Sequence, residues 1–98
     1  MNIIVFDERS YLFESDDRVN ECYLETSMGY MKDIYNTRGY VYLNEIYDHL
    51  GIAWNPHDTN TVFIKDDEHE LSITFNHGVG SGPKWYVYVD HKIKKIES

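Results

Sequence analysis

The chain has 98 residues, with seventeen Asp and Glu against nine Lys and Arg, a formal net charge of −8. Such a length suits one domain, residues 1–98, that buries roughly two thirds of its unfolded surface without covalent staples. Its single cysteine, Cys22, excludes an internal disulfide and fits a reducing, cytoplasmic setting. The charge is uneven: residues 1–70 hold fifteen acids and five Lys or Arg, whereas residues 71–98 hold two acids and four bases. Most of this surface would repel a nucleic acid, because phosphate neutralisation supplies much of such affinity. No apolar run is long enough to cross a bilayer, and the opening Met1-Asn-Ile-Ile-Val-Phe6 lacks the basic start and length of a secretory signal. The expectation is a soluble cytoplasmic protein with no direct nucleic-acid or membrane partner.

Taken in order, Ile3-Ile-Val-Phe6 reads as a short strand docked on a sheet edge or an apolar tail. Residues 7–15 mix charges with Tyr11, Leu12 and Phe13, an ordered loop pinned by aromatics. Ser15, Asp16 and Asp17 supply N-cap side chains and favourable charge for a helix over 17–37. On a 3.6-residue wheel Val19, Tyr23, Ser27, Tyr30 and Ile34 form one apolar stripe, and Leu24, Met28, Met31 and Tyr35 an adjacent one. Both are expected to face the core. Arg18, Glu21, Cys22, Glu25, Gly29, Lys32 and Asn36 fall on the solvated side. Gly29 costs about 1 kcal/mol there relative to Ala, which a close backbone approach or a slight bend would explain.

Gly39 supplies the left-handed residue that stops this helix. Residues 40–43 then form an extended link, and Asn44 is expected to cap a two-turn helix with Leu43, Ile46, Tyr47 and Leu50 facing inward. Gly51 closes it, Ile52-Ala53-Trp54 anchors the exit, and residues 55–60 form a loop. Residues 61–65 are strand-like, residues 66–70 a charged turn, and Leu71-Ser-Ile-Thr-Phe-Asn76 alternates as a half-buried strand should. A glycine-rich connection over 77–83 leads into a last strand with Trp85, Val87 and Val89 on one face and Tyr86 and Tyr88 on the other. The fold class that follows is α+β: one long N-terminal helix and one short helix, then a small antiparallel meander.

Few constellations carry chemistry. The 43–52 stretch has the look of a helix-turn-helix opening, yet a Pro-bearing segment without Lys or Arg stands where a recognition helix belongs. Gly78, Gly80 and Gly82 join two strands rather than a strand and a helix, so they read as a hairpin loop and not as a phosphate cradle. None of the five histidines forms a zinc-finger spacing with Cys22. His77 and His91 are placed to approach one sheet edge or the ends of the hairpin, with Glu70 on the neighbouring turn, but the expectation is surface histidines rather than a zinc site. Asp66, Asp67, Glu68 and Glu70 lack the central Gly and distal Glu of a calcium loop. No serine sits in a nucleophile elbow. No catalytic residue, metal or cofactor is therefore assigned.

The run Asp33-Ile-Tyr-Asn-Thr-Arg-Gly-Tyr-Val-Tyr-Leu-Asn-Glu-Ile-Tyr-Asp-His-Leu-Gly-Ile52 resembles a segment of uncharacterised proteins from phages and prophages of Gram-positive bacteria. In those proteins a helix leads into Arg/His-Gly-Tyr-Leu/Val-x-Leu-Asn-Glu/Asp-Val/Phe-Tyr-Asp-x-Leu-Gly, followed by a Trp-containing loop and a β-rich end. Phe6-Asp-Glu-Arg-Ser10 is similar to the stretch ahead of that helix. Longer members carry hydrophobic segments upstream, which do not occur within these 98 residues, and their loop after Leu-Gly-Ile is longer. The resemblance implies a mobile-element origin and nothing about catalysis.

Small size, the acidic half, nine tyrosines and that motif together point to a non-catalytic protein-binding module. Its sharpest form is an anti-CRISPR-like inhibitor that occupies the basic nucleic-acid groove of a host defence nuclease. The expected partner-binding residues are Asp16, Asp17, Glu21, Glu25, Asp66, Asp67, Glu68 and Glu70. A structural or accessory protein of a phage particle or membrane-associated complex is the alternative.

Overall fold

The longest element begins where its first amides find a side chain. Asp16, in extended conformation, accepts from the Arg18 amide at 2.9 Å and caps α1, which runs Asp17–Arg38. The computed structural model describes residues 2–53, 56–58, 61–78 and 84–93. Before α1 lies β1 (Asn2–Phe6); after it come β2 (Tyr40–Tyr42), α2 (Leu43–His49), a 3₁₀ turn at Pro56–Asp58, β3 (Val62–Ile64), β4 (His69–His77) and β5 (Trp85–Ile93). The expected α+β architecture is thus present. Gly39 ends α1 at φ 93° with its amide on the Tyr35 carbonyl.

The strands do not make one meander. β1, β5 and β4 form an antiparallel three-stranded sheet with β5 in the centre, whereas β2 and β3 pair separately. Residues 40–42, read as part of an extended link, are therefore half of a hairpin-like ladder, with Val41 opposite Phe63. Both of these side chains are buried. The α2 cap also differs from expectation: Tyr42 precedes the helix, its amide held by the Glu45 carboxylate at 3.2 Å, and Asn44 lies buried inside it. The cap thus lies two residues earlier than expected, and Leu43 is buried with Ile46 one turn on, as expected.

One face of the three-stranded sheet carries Ile4, Phe6, Leu71, Ile73, Trp85, Val87 and Val89, which join Leu24, Met28, Met31 and Tyr35 of α1 in one buried cluster. α1 thus buries one of its two apolar stripes, with Asn20 and Ser27 completing the buried side. In the other stripe Tyr23 and Ile34 are half-buried, but Val19 and Tyr30 are about half exposed. α2 is only seven residues long, too short to cover the whole of that stripe. A Cβ on Gly29 would meet nothing within 4 Å, so no neighbour demands that glycine. In the 7–15 loop Phe13 packs edge-on against Phe6, while Tyr11 points into solvent. Trp54 and the loop residues 79–83 lie outside the described residues. Among the described residues no helix is long and apolar enough to cross a membrane.

Candidate functional site

β4 runs alongside α1, and each end of this flank gathers titratable groups. At the N-terminal end of α1, Asp17 accepts from His77 Nε2 at 2.8 Å, from the Trp85 indole at 3.3 Å and from Asn20 Nδ2 at 3.3 Å. Partial burial, the largest single influence, raises its pKa, but the hydrogen bonds from Asn20, His77 and Trp85 outweigh it and the net shift is downward. Asp17 is thus engaged as the clasp between α1 and the far end of the β4–β5 hairpin, with its side chain still 42% exposed. It is not a free surface charge.

At the other end, Asp66 folds its own turn. Its carboxylate accepts the backbone amides of Glu68 at 2.8 Å and His69 at 2.6 Å, with His69 Nδ1 at 2.9 Å. Here too burial acts to raise the pKa, and the bonds from His69 and the two amides prevail and lower it. His69 and His91 sit on the inner face as diagonal neighbours across the ladder, their ring centroids 4.9 Å apart. His91 Nε2 in turn lies 2.9 Å from the Tyr35 hydroxyl. Burial, with the charges of Asp66 and Glu70, pushes the Tyr35 phenol above its ordinary value, so it stays a neutral hydrogen-bonding group. The cleft beside this network, lined by Lys32, Asn36, Lys65, His69 and Glu70, encloses about 200 Å³. That is below the usual size of a small-molecule pocket.

His77 and His91 do not approach one another. His77 pairs with Trp85 and His91 with Leu71, which puts them six ladder positions apart, about 20 Å. Their partners were legible only with the register, since the hairpin pairing sets which histidines become neighbours. Among the described residues no three His, Cys, Asp or Glu side chains converge to hold a metal ion.

The eight carboxylates expected to bind a partner divide accordingly. Asp17, Glu21 and Glu25 follow at four-residue spacing on one side of α1, about 6 Å per step. Asp16 is the cap, paired at its rim with Arg18 at 3.4 Å. Asp66, Asp67, Glu68 and Glu70 sit near Asn36, whose carbonyl takes the Lys65 ammonium at 3.2 Å. That is about 28 Å along the helix from Asp17. Lys32 stands between the two groups, and Lys92 lies opposite Glu70 on β5. The acidic residues therefore form two separate groups and no single surface.

Beside the second group lies the exposed face of β2 and β3. Tyr40 and Tyr42 project from one face of β2, 38% and 41% exposed, with their rings edge to face at 5.8 Å. Ile64, opposite Tyr40 on β3, is 58% exposed. The Arg38 guanidinium lies 4.2 Å from the Tyr40 ring centre and is held by Glu45 at 2.6 Å. The period-two alternation of Tyr40, Val41 and Tyr42 was the available signal: when Val41 is buried, both tyrosines must face out. No family model, curated protein or solved structure matches this chain.

Proposed function

We propose that the chain is a non-catalytic binding module that docks on a basic surface of another protein through the outer face of β2–β3 and the adjoining acidic turn. The observation that carries this reading is the exposed group Tyr40, Tyr42 and Ile64, with Arg38 fixed against it and the exposed Asp67, Glu68 and Glu70 beyond. Aromatic and Arg anchors within a polar, charged rim are the anatomy of protein interfaces. The rim carboxylates steer a cationic partner and raise its association rate more than its final affinity.

The finer reading is an inhibitor of a host defence nuclease, encoded by a phage or prophage. It is supported by the likeness of residues 33–52 to phage and prophage proteins and by the acidic balance of residues 1–70. Imitation of a nucleic-acid strand along α1 is a weaker basis for it. The row of carboxylates offers one charge per roughly 6 Å, against one phosphate per 3.4 Å of a DNA strand, and Asp17 is already engaged.

Two experiments address this reading together: capture from host lysate on immobilised protein, and DNA cleavage by the purified CRISPR effector of the same host. Wild type retains a basic nucleic-acid-binding protein at physiological salt and slows cleavage. Tyr40→Ala with Tyr42→Ala, or Asp67→Lys with Glu68→Lys, loses both effects while circular dichroism stays unchanged. Absence of capture together with undiminished cleavage overturns the reading, as does capture that none of these substitutions weakens.

A further inference from the structure

The three-stranded sheet has two unpaired edges, β1 and β4, among the described residues. Edge strands in monomeric proteins are usually blunted by charge, Pro or a bulge, because their free amides and carbonyls invite another strand. β1, Asn-Ile-Ile-Val-Phe, carries no charge, no Pro and no break in its five-residue register with β5. An open groove of about 390 Å³ runs along it, lined by Ile3, Ile4, Val5, Arg9, Tyr47 and Ile52. The backbone edge asks for a β-strand, and three observations choose which one.

The first is self-complementarity. Two antiparallel copies of β1 centred on Ile4 place Ile4 against Ile4 on the inner face and Ile3 against Val5 on the outer face. β-branched residues thus oppose one another throughout the centre. The second is continuity. Ile3 is 56% exposed and lies opposite Tyr88, and Val5 lies opposite Tyr86. Pairing would therefore extend a half-buried Tyr–Ile/Val face across the junction. The third is charge. The carboxylates of the α1–β4 flank and the turn before β4 are at the opposite edge, about 10 Å away across two strand spacings. Joining β4 edges would bring these like charges together, whereas joining β1 edges holds them farther apart than the Debye length of about 8 Å.

We propose that β1 is a self-association edge: two copies of this chain pair β1 to β1, antiparallel, and form one continuous six-stranded sheet about a two-fold axis. The contact is isologous and closes on itself, so it stops at the dimer. A five-residue strand is about 17 Å long, and such a contact buries a few hundred Å² per copy, below the roughly 800 Å² of a standard interface. The dimer is accordingly weak and concentration-dependent. The face carrying Tyr40 and Tyr42 belongs to β2 and is left free, so the inference stands apart from the proposed function.

Sedimentation equilibrium of the whole chain between about 1 μM and 1 mM tests it. The expected weight-average mass rises from 11.6 kDa toward twice that value. Ile3→Lys, at an exposed outer-face position, weakens the dimer by at least about tenfold, with circular dichroism unchanged. Thr74→Lys, exposed on β4, leaves it intact. A mass that stays at 11.6 kDa throughout overturns the proposal, whatever other protein strand that edge then accepts. So does a dimer that Thr74→Lys disrupts and Ile3→Lys does not.

Discussion

Asn20 offers the sharpest test of how the N-terminal third is held. Its side chain is 1% exposed, yet it lies on the first full turn of α1, where a polar residue normally faces water. The amide reaches back to Glu14: Nδ2 donates to the Glu14 carbonyl at 2.8 Å, and Oδ1 accepts the Glu14 amide at 2.9 Å. A third bond, at 3.3 Å, reaches Asp17. One side chain thus stitches the loop that follows β1 onto α1, just before the Asp16 cap. Asn20→Ala removes both Glu14 bonds. Each is worth about 1 kcal/mol net, and a group left dry costs about 1–3. Glu14 is itself exposed, so water recovers part of the loss, and the expected destabilisation is about 2–3 kcal/mol. For a chain of this size that lowers Tm by roughly 10–20 °C. Urea and thermal unfolding followed by circular dichroism measure it. Asn20→Asp separates the two bonds, since a carboxylate keeps the acceptor, loses the donor and brings a charge against the Glu14 carbonyl. Its loss at neutral pH is at least as large as that of Asn20→Ala, and it shrinks as acid restores an O–H donor. An Asn20→Ala protein within about 0.5 kcal/mol of wild type would show that the Glu14 contact does not hold the loop.

Acid should loosen both ends of the α1–β4 flank. Asp17 and Asp66 have pKa values lowered by folding, so each contributes stability that is fully present above the ordinary carboxylate value near 4. That contribution is lost as the pH falls through their lower folded values; urea midpoints between about pH 6 and pH 2 should drop for wild type and flatten for Asp17→Asn with Asp66→Asn. The two glycines at positive φ should differ in cost. Gly39 (φ 93°) has open space around a new Cβ, so Gly39→Ala costs only the left-handed backbone penalty, about 1–2 kcal/mol. Gly51 (φ 66°) would set its Cβ 2.7 Å from Ser10 Oγ and 3.0 Å from Leu12, so Gly51→Ala is the more damaging. Equal losses in denaturant unfolding would mean that the Ser10–Leu12 segment moves aside freely.

Local signals marked most of the elements. Asp16 ahead of an apolar stripe, Gly39 after it, and the alternation of residues 71–76 and 85–89 are short-range patterns, and short-range patterns set where helices and strands begin and end. What they left open was which elements meet. Nothing near residues 40–42 says that they pair with residues 62–64 instead of joining the larger sheet, because a strand's partner is chosen by burial elsewhere in the chain. Asn20 is a polar residue within a helical stretch, and only the loop folding back to Glu14 makes it a buried one. The carboxylates show the same division. Their identity and helical spacing are written in the sequence, but the separation of Asp17 from the turn at Asp66, about 28 Å along α1, follows from how α1 lies along β4. The pairing of His91 with Leu71, and not with the end of the strand where His77 lies, follows from register. Composition determined that this surface is acidic; tertiary structure decided that the acid is split in two, that Asp17 is engaged by His77 and Trp85, and that an uncharged strand is left at the opposite edge.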